Sequence, residues 1–289
     1  MARIVILGAG DIGGALAYTL LRHARVDEVR LVDDETGVAG GKALDIRQAG
    51  AIEKSDTRVT ASSDLGEVVG AAVVVVADRA GKDGGEWTSD AGASLLERVA
   101  PLVPHTAIVC AGASQAPLVD RAVRSGLVRR RHILGSAPEA LASAVRAMVG
   151  LETNGSAGEV SLAVTGVPPS SFVVGWSDAT VGGSNIARVL APPVLARLDA
   201  RVTRLWPPGP AALASGAARF VESIVAGTRP QLSAFVALDG ELNLRHGVSA
   251  LPVRLGPRGI DEIAAPALSE HERTRLGNAL GDGGPARRA

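Results

Sequence analysis

Three glycines near the N-terminus, Gly8, Gly10 and Gly13, lie between an apolar β-branched run and an amphipathic segment. In a strand–turn–helix context this spacing permits a tight turn, close approach of the backbone to a phosphate, and close packing of helix on strand. The first N–H groups of the helix, at Asp11 and Ile12, then face the anion. The spacing predicts a phosphate-binding turn. A glycine-rich turn without a ligand is the alternative.

A carboxylate follows at the distance expected for a dinucleotide site. Asp33 directly follows the run Glu28–Val32 and lies about 20 residues beyond Gly13. Its carboxylate would accept hydrogen bonds from a ribose diol and repel a 2′-phosphate, which predicts NAD as the cofactor in preference to NADP. Asp11 suits the positive end of a helix dipole, although its charge would lie near the pyrophosphate.

The elements that position these residues alternate in the first half of the chain, as in a parallel sheet with helices on both faces. The run Val73–Val76 lacks alternation and suits a strand buried on both sides. Strands are predicted at Arg3–Leu7, Glu28–Val32, Arg58–Ala61, Ala72–Ala77, Thr106–Ala111 and His132–Leu134. Helices are predicted at Ile12–Ala24, Gly40–Gln48, Ser89–Ala100 and Ala116–Ser125.

The second half has a different order of strands and helices. Proline and glycine interrupt it between residues 207 and 210. Strands are predicted at Glu159–Thr165, Gln231–Leu238 and Leu251–Leu255, and helices at Ala211–Val225 and Ser269–Leu280. We therefore predict an α/β fold: a Rossmann-type, doubly wound parallel sheet in a domain of residues 1–149, followed by a mixed α/β C-terminal domain of residues 150–289.

Composition excludes several classes of protein. The 289 residues carry 30 basic and 30 acidic side chains and 2% aromatic residues, which leaves no electrostatic or stacking surface for nucleic acid. The single cysteine, Cys110, excludes a disulfide framework and a multi-cysteine metal site, and it fits a reducing compartment. The histidines lack metal-ligand spacing. No apolar run is long enough to span a bilayer. We expect a cytoplasmic protein without a metal.

Several segments together resemble the NAD-dependent malate/lactate dehydrogenases. The glycine motif is followed by Gly41–Ile46, which is similar to the family's G-K-A-L-D segment. The segments Val236–Glu241, Leu251–Ile260 and Ala265–Glu272 resemble the family's last sheet and the approach to its final helix. The resemblance covers most of the chain. It implies an NAD cofactor, a small-molecule ligand and a homodimer or homotetramer.

The positions that carry the family's chemistry hold different residues. The resemblance implies a proton-carrying His where Pro168 stands, and an orienting Asp and a carboxylate-binding Arg where Ala142 and Val145 stand. Imidazole suits proton transfer near neutral pH, and a guanidinium fork suits a carboxylate. Arg146 lies one residue beyond the arginine position, about 100° away around a helix. Ser170 and Ser171 follow Pro168 and are pocket candidates, with ordinary turn serines as the alternative.

The nicotinamide half of the expected cofactor site also departs from the family. Bulky and charged Asp78 and Arg79 stand where the family has small residues after its fourth strand, and the turn 111–113 lacks the family's asparagine. The next loop holds Lys82, Asp83, Glu86 and Trp87, and family geometry places that loop over the active site. We expect the adenosine half of NAD to be better recognised than the nicotinamide half.

Three functions remain open. The first is a family member that binds NAD(H) or an adenine nucleotide but whose hydride-transfer chemistry is lost or altered. The second is an enzyme with a rebuilt pocket, using Asp78, Arg79 and Lys82 for a different small molecule, in a reaction that need not be redox. The third is an active 2-hydroxy acid dehydrogenase with relocated catalytic residues, for which His246 is the substitute.

Overall fold

The computed structural model describes residues 2–82 and 84–282 and is built on a single large sheet. In its first half the strands are β1 (Arg3–Leu7), β2 (Glu28–Val32), β3 (Arg58–Ser62), β4 (Val73–Val76), β5 (Ala107–Cys110) and β6 (Ile133–Gly135). The helices are α1 (Asp11–His23), α2 (Thr36–Glu53), α3 (Ser89–Val99), α4 (Ala116–Arg124) and α5 (Ala137–Thr153). All of these strands pair in parallel in the order β3-β2-β1-β4-β5-β6.

The second half extends the same sheet with antiparallel strands. These are β8 (Val164–Val167), β9 (Ser171–Val174), β12 (Leu232–Ala237), β13 (Val248–Gly256) and β14 (Gly259–Ile263). A small separate sheet contains β7 (Val160–Ser161), β10 (Thr180–Val181) and β11 (Ser184–Asn185). The helices are α6 (Ile186–Val189), α7 (Pro192–Val202), α8 (Pro210–Ala226) and α9 (Glu270–Asp282). The α/β fold with a parallel Rossmann-type sheet and a mixed C-terminal part is confirmed.

Alternate residues of the parallel strands face two separate cores, as the strand period requires. In β4, Val73 and Val75 contact the core beneath α1, α2, α5 and α8, whereas Val74 and Val76 contact the core beneath α3 and α4. Every residue of β4 is 0% exposed, which explains why the run lacks polar alternation. The two-faced burial holds the carboxyl ends of the strands rigidly at one edge.

The predicted elements of the parallel half lie within a few residues of their observed bounds, with two differences. Helix α2 is twice as long as the predicted segment, because its glycines hid a periodicity that packing against α1 supports. Helix α5 was not predicted. Residues 137–142 are all buried, so the segment has no polar face that would reveal a helical period. The predicted boundary at residue 150 falls inside α5 and stays a prediction.

The second half differs more from expectation. The predicted strand 159–165 is split into β7 and β8, which belong to different sheets. Strands β9, β10, β11 and β14 and helices α6 and α7 were not predicted, since most are too short for periodicity to show. Within the described residues no helix is long and apolar enough to cross a membrane. Nor do those residues bring three or more metal-binding side chains together.

A buried ion cluster joins α5 to the C-terminal part of the sheet. The side chain of Glu139 is 0% exposed, and its carboxylate accepts hydrogen bonds from Arg146 at 2.6 Å and Arg219 at 3.0 Å. Its second oxygen accepts one from the backbone N–H of Ser233 in β12, at 2.9 Å. A buried carboxylate requires such partners, because the charge is otherwise costly to remove from water.

We expect Glu139→Ala to lower the free energy of unfolding by about 3 kcal/mol, because Arg146 and the Ser233 N–H lose their buried acceptor. The measurement is urea unfolding followed by circular dichroism. Glu152→Ala is the matched control on the same helix: it removes an exposed pair with Arg197 and should cost less than about 1 kcal/mol. Equal losses for the two variants would contradict a structural role for the Glu139 cluster.

The single cysteine is expected to be unreactive in the folded chain. Cys110 ends β5 with 0% exposure, and burial raises the pKa of its thiol to about 12. Only about one thiol in ten thousand is then ionised at pH 8, whereas an exposed thiol has a pKa near 8.5. A maleimide reagent at pH 8 should leave the native protein unlabelled and label it rapidly in urea. Rapid native labelling would show that β5 is not buried as described.

Candidate functional site

The predicted phosphate-binding turn forms at the carboxyl end of β1, but another segment of the chain crosses directly above it. Gly8 has a φ of +110°, and a Cβ added there would lie 2.2 Å from the carbonyl oxygen of Asp78. The N–H of Gly10 donates to that same oxygen at 2.8 Å. Glycine is therefore required here by the backbone at Asp78, two residues beyond the end of β4.

The carboxylate of Asp78 binds the N-terminus of α1. It accepts hydrogen bonds from the N–H groups of Ile12 at 3.1 Å and Gly13 at 2.9 Å, and Asp78 is only 8% exposed. A Cβ added at Gly10 would lie 2.4 Å from this carboxylate. The open space that a glycine leaves for a phosphate is thus filled by an anion of the chain itself, at the positive end of the helix dipole.

Asp33 lies at the end of β2, as predicted, but its oxygens already have partners. One oxygen accepts from the N–H of Ala9 at 2.8 Å and of Ala80 at 2.9 Å, and the other accepts from the N–H of Glu35 at 2.9 Å. Asp33 is 6% exposed. A ribose diol would have to displace at least one of these three hydrogen bonds to reach the carboxylate.

A third carboxylate covers the turn after β5, where the resemblance places the nicotinamide ribose. Glu86 accepts hydrogen bonds from the N–H groups of Ala113 at 2.9 Å and Ser114 at 2.7 Å, just before α4. A Cβ added at Gly112 would lie 2.4 Å from the Glu86 carboxylate. A larger side chain at this position would have to displace the Glu86 carboxylate.

Asp78 and Glu86 lie in two stretches that pair with each other, residues 78–82 and 84–87, which we call the strap. A β-bridge pairs Asp78 with Glu86, and the N–H of Arg79 donates to the carbonyl of Gly85 at 2.9 Å. Within the strap, the exposed Arg79 guanidinium lies 5.2 Å from the centre of the Trp87 ring. The strap therefore holds one carboxylate at the N-terminus of α1 and the other at the turn that precedes α4.

The side chain of Gln115 forms hydrogen bonds at both ends of the strap. Its side-chain amide donates to the carbonyls of Ala77 at 2.9 Å and Trp87 at 3.2 Å, and its side-chain oxygen accepts from the N–H of Gly112 at 2.8 Å. Gln115 is 1% exposed, so these bonds compete little with water. No motif in the sequence marks Gln115 as a functional residue. Its position at the start of α4, in a turn otherwise made of small residues, was the only available signal.

The three positions where the resemblance implies a proton carrier and a substrate clamp hold apolar, buried side chains. Ala142 and Val145 face the core from α5 with 0% exposure, and Pro168 is also buried in the turn after β8. The guanidinium of Arg146, the nearest charged group in sequence, is bound to Glu139. No ionisable group stands at these positions to move a proton.

The remaining site candidates are scattered. Ser170 is exposed, and the Ser171 hydroxyl donates to the carbonyl of Ala279 in α9 at 2.9 Å. The side chain of Asp11 is 84% exposed and lies 3.9 Å from Lys42, whose ammonium donates to the carbonyl of Gly10 at 2.6 Å. Lys82 is exposed, and Asp83 lies outside the described residues. The structure thus brings Asp78 to the glycine turn and leaves Lys82, Arg146, Ser170 and Ser171 away from it.

A dinucleotide does not fit this arrangement. A pyrophosphate at the N–H of Ile12 would overlap the Asp78 carboxylate and add negative charge beside it. The Asp33 carboxylate is already bound by the N–H of Ala80. The N–H groups that follow β5 are already bound by the Glu86 carboxylate. In this conformation the backbone N–H groups of the site bind the carboxylates of Asp78 and Glu86. Among the described residues of this site we find neither a positioned nucleophile nor a positioned acid–base group.

Comparison with known proteins places these observations in a family. Residues 2–95 match the model of the lactate/malate dehydrogenase NAD-binding domain, and residues 209–281 match that of the family's α/β C-terminal domain. A malate dehydrogenase of Dehalococcoides mccartyi is 28% identical over 96% of this chain and 95% of that protein. A malate dehydrogenase of Thioalkalivibrio sulfidiphilus is 26% identical over 97% of this chain and 96% of that protein.

Solved structures share the fold. The lactate dehydrogenase of Cryptosporidium parvum, solved with lactic acid and nicotinamide adenine dinucleotide, has a TM-score of 0.84, 20% identity and coverage of 97% of this chain and 95% of that chain. The malate dehydrogenase of Salinibacter ruber has a TM-score of 0.84, 23% identity and coverage of 97% and 94%. With both halves matched and the whole fold shared, this chain belongs to the lactate/malate dehydrogenase family.

Proposed function

We propose that this chain is a lactate/malate dehydrogenase family member that does not carry out the family's hydride transfer and whose nucleotide site is closed by its own strap. One observation carries the proposal: the Asp78 carboxylate occupies the N–H groups of Ile12 and Gly13, at 3.1 and 2.9 Å. The apolar residues at positions 142, 145 and 168 agree with it. Loss of general acid–base catalysis alone costs about a hundred- to ten-thousand-fold in rate.

The proposed ligand is still NAD(H) or another adenine nucleotide, bound after the strap leaves the turn. The glycines and Asp33 are retained for the adenosine and pyrophosphate, and the family's NAD-binding domain is present. The nicotinamide half has less to bind, because Glu86 covers the backbone after β5 and Arg79 follows Asp78. We therefore propose that ADP and NAD+ bind with similar affinity.

A second candidate is an enzyme with a rebuilt pocket that uses the strap. The observation that favours it is the Trp87 indole N–H, which is buried without a hydrogen-bond partner among the described residues. A buried donor that lacks an acceptor is costly, and a polar ligand could supply one. Stabilisation of the protein by a non-nucleotide metabolite, lost in Trp87→Phe, would support this candidate over the first.

The wider assignments are proposals that rest on the family. We propose a cytoplasmic protein with a small-molecule ligand and no nucleic-acid partner. A homodimer or homotetramer is supported by apolar side chains on the outer face of α2, where Leu44 is 48% and Ile52 83% exposed.

The purified chain should show no turnover of malate or lactate with NAD+, followed by NADH absorbance at 340 nm. Pro168→His alone should recover little, because Ala142 and Val145 still supply neither an orienting carboxylate nor a clamp for the substrate. A matched family malate dehydrogenase in the same assay confirms the conditions. Turnover by the unaltered chain at about 1 s⁻¹ or faster would instead support relocated catalytic residues.

Removing the strap carboxylate should open the phosphate turn. We expect Asp78→Ala to raise the affinity for ADP and for NADH at least about tenfold in calorimetry, because two charge-assisted hydrogen bonds to α1 no longer compete with the ligand. The matched control is Asp90→Ala, which removes an exposed carboxylate from α3. Asp78→Asn, which keeps the shape, should give a smaller gain.

Two results would contradict the proposal. If the unaltered chain binds NADH as tightly as Asp78→Ala, the strap does not compete with the nucleotide and the proposed closure is wrong. If Asp78→Ala folds but still binds no nucleotide, retention of the nucleotide site is wrong.

A further inference from the structure

A basic groove lies at the other end of the parallel sheet from the strap. It is formed between the turn that precedes β6 and the hairpin turn joining β13 to β14, and it encloses about 290 Å³. Four basic side chains line it: Arg129, Arg131, His132 and Arg258. His132 immediately precedes β6, whereas the glycine turn follows the carboxyl end of β1. The groove is therefore separate from the nucleotide site.

The groove is built from tightly packed backbone. Gly259 has a φ of +113°, and a Cβ added there would lie 2.3 Å from the carbonyl oxygen of Arg131. The Arg131 guanidinium donates to the backbone carbonyl of Asp261, which fixes the hairpin against the turn. His132 is held through its Nδ1, which lies 3.2 Å from the carbonyl oxygen of Pro104. The basic side chains thus project from a rigid frame.

The positive charge of the groove is not balanced. None of its three arginines forms an ion pair with a carboxylate among the side chains that the structure describes, in residues 2–82 and 84–280. The one acidic lining residue, Asp261, is paired with Arg229 outside the groove, and Arg130 turns away to bind Glu241 at 2.6 Å. The three arginines are exposed, so this local excess gives the groove a positive surface potential that favours an anion.

The titration of His132 reports this field. Burial lowers its pKa below the ordinary value, and the positive charges of Arg129, His105 and Arg258 lower it further, against the opposing effect of the Pro104 carbonyl. His105 faces His132 edge-on with the ring centroids 6.3 Å apart. No carboxylate contributes to the shift, which agrees with the missing counter-charge.

We propose that this groove binds a multiply charged oxyanion, a phosphate group, between Arg129, Arg131 and Arg258. Guanidinium groups present planar pairs of donors that match phosphate oxygens, and three arginines line this groove of about 290 Å³. The phosphate could be free or part of a phosphorylated metabolite. The shared chemistry is the terminal dianionic phosphate, and its source is distinguished by the test.

The test follows the His132 ring proton by NMR in the full-length protein, with His132→Gln to assign the signal. Inorganic phosphate should raise the titration midpoint of His132 by about half a pH unit or more, because a nearby dianion favours the charged imidazole. Chloride at equal ionic strength is the control for screening. A phosphorylated sugar that saturates at lower concentration than inorganic phosphate would identify a phosphorylated metabolite as the source; the reverse order would identify free phosphate.

Variants make the result specific. Arg129→Gln/Arg258→Gln should weaken phosphate binding by roughly tenfold or more, since each change removes a charge-assisted contact. Arg254→Gln, on β13 but paired with Glu262, is the matched control and should bind phosphate as the parent does. The proposal is overturned if phosphate leaves the His132 midpoint unchanged, or shifts it equally in the double variant. Neither outcome depends on nucleotide binding at the strap.

Discussion

The first turn of α1 has backbone N–H groups that no helical carbonyl can reach, and an acceptor from elsewhere must meet them. In this chain the acceptor is the carboxylate of Asp78, which is bound to Ile12 and Gly13 and nearly excluded from water. The path of the chain after β4 follows from that contact. Because Asp78 is held at the turn, the strap folds back over the sheet edge and brings Glu86 to the N–H groups before α4.

The same geometry that serves a dinucleotide can serve the protein's own side chains. Glycines that admit a phosphate also admit the backbone and carboxylate of Asp78, and an N-terminal helix dipole favours either anion. Hydrogen bonds to a charged group contribute about 1.5 to 3 kcal/mol each, so an internal carboxylate with two of them is a serious competitor for a ligand. Retention of the glycine motif therefore indicates a fold and an anion site, and the occupant depends on residues far away in sequence.

Other buried polar groups hold this arrangement in place. Gln115 connects the strap to the turn after β5 with three side-chain hydrogen bonds, and the Glu139 cluster ties α5 to β12. Arg146 is part of that cluster, so its guanidinium has a structural partner in Glu139. The apolar residues Ala142 and Val145 are buried in the core on the same helix.

The sequence alone determined the parallel half of the fold, the glycine turn and Asp33, because β-branched runs, helix periods and turn glycines are local signals. The departure of residues 142, 145 and 168 from the family's pattern stays a prediction from the sequence. Local signals could not reveal α5, whose first residues are buried on every side, or the short strands of the second half. Only the tertiary structure decided that Asp78, 65 residues from Gly13, occupies the phosphate turn. That contact depends on β4 lying beside β1 in the sheet, a pairing that no spacing within one segment encodes.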